Sequence, residues 1–192
     1  MNHHFTRNGI DLVIRTPVEE DAEGIIAYAK ELFASTDQLL TTVEEFTITV
    51  EQEKKWINDS LNNPDALILV VAKEREIVGL LDFSPKPKRK NAHTGELGVS
   101  ISSGFRGMGI GRLLVGVFLS WAAANQHIEK VFLNVMATNE GAIDLYKKLG
   151  FREEGRHIRA IKQLNGDYVD ILQMYKLTPG AIDVPPGSPN IG

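Results

Sequence analysis

The sequence has no cysteine among its 192 residues, which excludes a disulfide, a thiolate nucleophile and a cysteine-ligated zinc site. It also has no apolar run long enough to cross a bilayer and no signal-peptide pattern at its N-terminus. The net charge is only −4, so nothing in it favours nucleic acid or an acidic membrane as a partner. His3 and His4 alone support no metal site, whether native or part of a tag. We therefore expect a cytoplasmic protein without a metal.

The length of 192 residues suits one domain with a sizeable core. Apolar periodicity predicts a first strand at Leu12–Arg15, then two helices, three strands, a helix, a strand, a helix and a final hairpin across Asn165 and Gly166. This order is typical of an α/β domain with one mixed sheet. From Thr178 onward Pro, Gly, Ser and Asn dominate, so we predict a domain over residues 1–177 and a loose tail over 178–192.

A glycine-rich turn from Arg106 to Gly111 is the most informative segment. It carries three glycines in five positions and separates a strand-like run ending at Ile101 from a helical apolar pattern that starts at Ile110. Successive N–H groups in such a turn converge on one point, and the N-terminus of the helix adds partial positive charge. With Arg106 and Arg112 beside it, the turn predicts a phosphate or pyrophosphate site. A tight strand-to-helix connection is the structural alternative.

Two common nucleotide motifs do not match this turn. A P-loop needs Lys and then Ser or Thr after its last glycine, but Arg112 and Leu113 follow Gly111. A dinucleotide fingerprint needs a further glycine at the position of Arg112, and no ribose-binding acid is suitably spaced. A phosphate site of another kind remains open.

Two segments carry a family resemblance. Arg106-x-x-Gly109-x-Gly111 resembles the pyrophosphate loop of the GCN5-related N-acetyltransferases (GNAT), and Asn139-x-x-Ala142-Ile143-x-Leu145-Tyr146-x-x-Leu149-Gly150-Phe151 resembles that family's second signature. Glu154-Gly155 and Tyr168-Val169-Asp170-x-x-x-Met174 resemble the final hairpin of the branch that acetylates ribosomal-protein N-termini and small amines. The resemblance covers residues from about 10 to 177. It implies a mostly antiparallel mixed sheet flanked by helices and splayed between its fourth and fifth strands.

The resemblance also implies acetyl-CoA as cosubstrate. The backbone N–H groups of the glycine-rich turn would hold the pyrophosphate, with the two arginines as charge partners, and the main chain of Val99 to Ile101 would pair with pantetheine. Asn139 would hydrogen-bond the cofactor from the start of its helix. The predicted cofactor-binding residues are Val99, Ile101, Arg106, Gly107, Met108, Gly109, Ile110, Gly111, Arg112 and Asn139.

Tyr146 is the candidate general acid for the departing thiolate. It follows Asn139 by seven residues, which places both on one helix face roughly 10 Å apart. The alternative is a core tyrosine with its hydroxyl at the rim of the protein.

Glu96 is the leading candidate for the base, since it begins the strand that leads to the turn and shares a face with Gly98 and Ser100. It could instead only bind a cationic acceptor, because a carboxylate is a poor base unless its pKa is raised or a water relays the proton. His93 is the second candidate. Asn134, on the following strand, could contact acceptor or cofactor.

The predicted function is transfer of an acetyl group from acetyl-CoA to a primary amine, by direct attack in a ternary complex because no cysteine can carry the group. The alternatives are an acyl-CoA-binding regulatory module without catalysis and a phosphate binder unrelated to coenzyme A. The segment from Thr36 to Phe46 carries Asp37, Glu44 and Glu45, which favours a cationic acceptor. That acceptor is a small amine or a protein N-terminus. A homodimer is common in the family, and the sequence leaves the oligomeric state open.

Overall fold

The computed structural model describes residues 2–179 of the chain. Its strands are β1 (Asn2–Arg7), β2 (Ile10–Arg15), β3 (Leu67–Lys73), β4 (Glu76–Pro85), β5 (Thr94–Ile101), β6 (Lys130–Met136), β7 (Arg152–Lys162) and β8 (Tyr168–Leu177). Its helices are α1 (Ala22–Ser35), α2 (Val50–Leu61), α3 (Ile110–Ala124) and α4 (Glu140–Lys148). Residues 180–192, which make up most of the predicted tail, lie outside the described part.

All eight strands form one sheet in the order β1-β2-β3-β4-β5-β6-β8-β7. Neighbouring strands run antiparallel except β5 and β6, which are parallel. The predicted fold class, a single mixed and mostly antiparallel sheet flanked by helices, is therefore confirmed. Among residues 2–179 no helix is both long and apolar enough to cross a bilayer.

Strand β1 was not predicted from the sequence. It pairs with β2 through a turn in which Asn8 and Gly9 both have positive φ, 50° and 76°. Asn-Gly in that conformation is the usual two-residue hairpin turn. The strand itself is largely exposed at the edge of the sheet and lacks an apolar alternation, with Phe5 as its contact to the core. The Asn8-Gly9 dipeptide was therefore the available sequence signal for this hairpin.

Side-chain caps mark the first turns of α2 and α4. The Thr49 side chain at the start of α2 accepts from the Gln52 amide, and the Gln52 side chain accepts from the Thr49 amide, which is a capping box. Asn139 caps α4 through its side-chain oxygen, and Gly150 follows that helix with φ of 85°. The second of the two family-like segments is thus one capped helix.

Two apolar layers cover opposite faces of the sheet. One contains Leu69, Val71 and Leu81 and packs against α3 and α4; we call this side the α3 face. The other contains Val70 and Ala72 and packs against α1 and α2; we call it the α1 face. Alternate residues of a strand point to alternate faces, so β3 and β4 contribute to both layers.

Strands β5 and β6 are paired over a short stretch only. Their register joins Thr94 to Lys130, Gly95 to Val131 and Glu96 to Phe132. Although both strands continue beyond these residues, no further pair joins them within residues 2–179. The last residues of β5 therefore have a sheet neighbour on the β4 side only, and they lead directly into the glycine-rich turn.

Candidate active site

The glycine-rich turn has the backbone that an anion site needs. Gly107 and Gly109 have φ of 75° and 74°, and Gly109 is the residue that precedes the first turn of α3. A side chain is strained at such angles, which explains glycine at both positions. A Cβ added to either residue would have no atom within 4 Å, so the surface above the turn is open.

Six successive N–H groups in this segment have no acceptor among residues 2–179. The amides of Phe105 and Arg106 bond to the carbonyls of Ser102 and Ser103, and the next bonded amide is that of Leu113, on the Gly109 carbonyl at 3.1 Å. No side chain caps α3. We call the unbonded segment, Gly107 to Arg112, the amide loop. Free N–H groups at the positive end of a helix are the donor set that a phosphate or pyrophosphate requires.

The residues of the amide loop, and Arg106 just before it, have different environments. Ile110 is buried in the core, so only its main chain is available to a ligand. Gly111 lies against α4, since a Cβ there would come within 3.3 Å of Leu145 Cδ2. Arg106 Nε donates to the Ile101 carbonyl at 3.0 Å, which holds this exposed arginine beside the loop. Arg112 is exposed on the first turn of α3.

The free edge of β5 meets the amide loop. The amide of Ser102 donates to Val78, and the carbonyl of Thr94 accepts from Lys86, so even-numbered residues of β5 direct their main chain toward β4. The main chain of Val99 and Ile101 consequently points to the opposite edge, beyond the short stretch paired with β6. These are the two residues predicted to pair with pantetheine.

Tyr146 lies in the core at the α3 face, with 6% of its surface exposed and its ring 5.6 Å from that of Phe151. Burial raises its pKa to about 12, so the hydroxyl keeps its proton at neutral pH. The Tyr146 hydroxyl has no hydrogen-bond partner among residues 2–179. Every fully buried side-chain polar atom in that part of the chain does have a partner, so the Tyr146 oxygen is not fully buried.

Asn139 also has a structural role as the N-cap of α4. Its Oδ1 accepts from the Ala142 amide at 3.2 Å, while its Nδ2 has no acceptor within residues 2–179. Capping the helix and donating to a ligand are compatible uses of the same amide.

Glu96 lies on the α1 face, where two neighbours hold its carboxylate. Lys86 Nζ is 2.9 Å from Oε2, and Asn134 Nδ2 donates to Oε1 at 2.9 Å. The Glu96 side chain is 42% exposed. Asn134 therefore contacts the candidate base itself. His93 is exposed, and its carbonyl accepts from the amides of Glu129 and Lys130.

Sequence reasoning missed two polar residues on the same face, Asp82 and Tyr28. Asp82 of β4 is half-buried directly opposite Gly98, and Tyr28 of α1 donates its hydroxyl to Ser100 Oγ at 2.9 Å. Burial raises the pKa of Tyr28 to about 12. An aspartate inside the apolar run Ile77 to Phe83 was the available signal. We call the set Asp82, Lys86, Glu96 and Asn134 the carboxylate cluster.

The acidic segment from Thr36 to Phe46 lies against distant parts of the chain. Thr138 Oγ1, just after β6, donates to Gln38 at 3.0 Å, and Gln163 Nε2, at the end of the β7–β8 hairpin, donates to the Asp37 carbonyl at 3.1 Å. Residues 36–46 and the final hairpin thus meet at the end of β6.

Known proteins resemble this chain in sequence and in fold. The family model described as "Acetyltransferase (GNAT) family" matches residues 30–151. The L-amino acid N-acetyltransferase AaaT of Escherichia coli is 23% identical over 87% of this chain and 98% of its own. The ribosomal-protein-alanine N-acetyltransferase structure from Brucella melitensis has a TM-score of 0.74 and 26% identity, covering 85% of this chain and 98% of that one. The structure of yncA, a putative acetyltransferase from Salmonella typhimurium with its cofactor acetyl-CoA, has a TM-score of 0.78 and 17% identity, covering 92% and 99%.

Proposed function

This chain belongs to the acetyltransferase (GNAT) family, and we propose that it transfers an acetyl group from acetyl-CoA to a primary amine in a ternary complex. The observation that carries the proposal is the amide loop, whose six unbonded N–H groups adjoin the free edge of β5. Coenzyme A has a pyrophosphate for the first feature and an amide-containing arm for the second. A relative that moves acetyl to amino acids and a neighbour that contains acetyl-CoA support the same reaction.

The cosubstrate supplies the acetyl thioester. The amides of Gly107 to Arg112 would bind its pyrophosphate, with Arg106 and Arg112 adding charge. The main chain of Val99 and Ile101 would bond the pantetheine arm as a neighbouring strand does, in an opening between β5 and β6. Asn139 Nδ2 would add one further hydrogen bond.

Tyr146 would act on the departing thiolate. Its hydroxyl is protonated and free, which are the two requirements of a proton donor. Because a hydroxyl with a pKa of about 12 is a weaker acid than a thiol, near 8.5, donating a hydrogen bond matters as much as the completed proton transfer. The absence of cysteine from the chain leaves direct attack by the amine as the route.

The acceptor would reach the α1 face, where the carboxylate cluster lies. Asp37, Glu44 and Glu45 make residues 36–46 acidic, and this segment meets the end of β6 through Gln38, which favours an amine that is cationic in solution. Both a small amine and a protein N-terminus fit this description. The cytoplasmic location and the homodimer stay predictions.

The test is release of free thiol from acetyl-CoA in the presence of a panel of amines, amino acids and peptides with free N-termini. We expect thiol release with at least one class of acceptor. Tight acetyl-CoA binding with no release across the panel would instead indicate a regulatory acyl-CoA-binding module. If ATP or NAD displaced acetyl-CoA in a thermal-shift assay, the amide loop would belong to another nucleotide.

A further inference from the structure

The Asp82 side chain occupies the space that a side chain on its partner, Gly98, would need. It pairs with Gly98 across β4 and β5, and its carboxylate leans over that glycine, so that a Cβ on Gly98 would stand 2.4 Å from Asp82 Oδ1. The next residue, Val99, is one whose main chain faces the free edge of β5. The Asp82 carboxylate therefore sits on the α1 face beside the residue that precedes Val99, whose main chain is proposed to bond the pantetheine arm.

The two carboxylates of the carboxylate cluster differ in their partners. Glu96 has a lysine on one oxygen and an amide on the other. Asp82 has neither, since no side chain among residues 2–179 pairs with its carboxylate or donates to it. An uncompensated and partly buried carboxylate holds its proton more strongly than one in water.

We propose that Asp82, rather than Glu96, accepts the proton from the acceptor's ammonium group. The inference rests on the proposed function, and it assigns to Glu96 the task of fixing negative charge beside the acceptor with Lys86 and Asn134. One proton passes from the ammonium nitrogen to an Asp82 oxygen. The freed lone pair then forms the C–N bond to the acetyl carbon as the C–S bond breaks. The attacking nitrogen gives up its second proton as the amide forms, the departing thiolate gains that proton by way of Tyr146, and Asp82 returns the first proton to water.

The electrostatics around Asp82 agree with this task. Burial first, and then the negative charge of Glu96, raise its pKa to about 6. A base works best when its pKa is near the working pH. The other groups near this region are Lys86, which lies on the far side of Glu96, and Tyr28 of α1, a neutral hydroxyl that is bonded to Ser100 and acted on by the charges of Arg106 and Glu31. The backbone amide of Asp82 donates to its own carboxylate and lowers the pKa, whereas no cation contributes to the shift.

Asp82→Asn tests the inference because it keeps the shape of the side chain and removes its ability to take a proton. We would measure kcat/KM for an acceptor from pH 5 to 9 in the wild-type enzyme, D82N and E96Q. The wild type should lose activity below about pH 6. D82N should be slower by about 100-fold or more and should lose this acidic limb. E96Q should raise the acceptor KM and keep the limb, displaced to lower pH because loss of the Glu96 charge lowers the pKa of Asp82.

Acetyl-CoA affinity and thermal stability of each variant separate catalysis from folding. Turnover by D82N within about threefold of wild type, with the acidic limb intact, would overturn the inference. Should D82N not fold, E96Q decides: a retained limb supports Asp82, and a lost limb assigns the base to Glu96 and overturns the inference. If the wild-type enzyme releases no thiol with any amine, the proposed function itself fails, which is a separate result.

Discussion

The amide loop and the carboxylate cluster are built in opposite ways. The amide loop is six consecutive residues that offer main-chain N–H groups, so its geometry depends on glycines at two positive φ angles. The carboxylate cluster gathers side chains from β4, β5, β6 and the turn after β4, brought together by sheet register. Main-chain N–H groups are the same for every residue except proline, whereas side chains differ at each substitution. The loop is therefore suited to a constant donor, and the cluster to an acceptor that differs among relatives.

Gly109→Val should have the largest effect, and it should fall on the loop alone. A β-branched residue at φ of 74° is strained by about 1–2 kcal/mol and covers the open N–H groups. We expect acetyl-CoA affinity to fall about 100-fold by calorimetry, since charged hydrogen bonds are lost as well. Gly116→Ala, within α3, is the control, because a Cβ there meets nothing within 4 Å. Unchanged affinity in G109V would remove the anion site.

Tyr146→Phe should separate binding from chemistry on the loop side. The ring keeps its contact with Phe151, so stability and acetyl-CoA affinity should hold, while kcat falls about 10- to 100-fold. Tyr168→Phe, at an exposed tyrosine of β8, should leave kcat unchanged. Stopped-flow thiol release would measure both, and an unaltered kcat in Y146F would leave Tyr146 as a core residue only.

Asp82→Asn should increase stability in a pH-dependent way. The pKa of Asp82 is raised to about 6 from 3.8, so its folding contribution is complete below about pH 4 and is lost as pH rises through 6. Relative to wild type, D82N should gain about 1–3 kcal/mol of unfolding free energy at pH 8 and nothing near pH 4. Urea titrations at both pH values measure the difference. Asp59→Asn, at an exposed aspartate of α2, should show no such dependence.

Asn134→Ala should have the smallest effect, and it should fall on the cluster alone. It releases Glu96 Oε1 from one hydrogen bond near the surface, which we expect to change the acceptor KM about two- to fivefold without altering acetyl-CoA affinity. The matched control is Asn58→Ala, which removes a similar amide-to-carboxylate bond to Glu19 at 2.7 Å, away from the site. A change in acetyl-CoA affinity would show that the two regions are not independent.

The fold and the loop could be predicted because their signals are local. Alternation over Leu97, Val99 and Ile101, the glycines of the amide loop and the Asn139 cap each lie within a few residues of what they determine. Strand β1 was missed although Asn8-Gly9 is an equally local signal, because an exposed edge strand needs no apolar alternation. The boundary between domain and tail stays a prediction.

The carboxylate cluster could only be predicted in part. Glu96 and Asn134 were candidates separately, but their hydrogen bond depends on two strands 38 positions apart in the chain. The Lys86 side chain, which belongs to a basic run typical of a solvated loop, neutralises the leading base candidate. Asp82 belongs to no sequence motif, and its position inside an apolar run was its one signal.

By itself, the sequence determined the glycine-rich turn and predicted a phosphate site there, because backbone angles and helix polarity are properties of adjacent residues. Only the tertiary structure decided which carboxylate is compensated and which is not. The free energy of a proton on Asp82 depends on burial and on Glu96 across the sheet, and these distances exist only after β4 and β5 have paired.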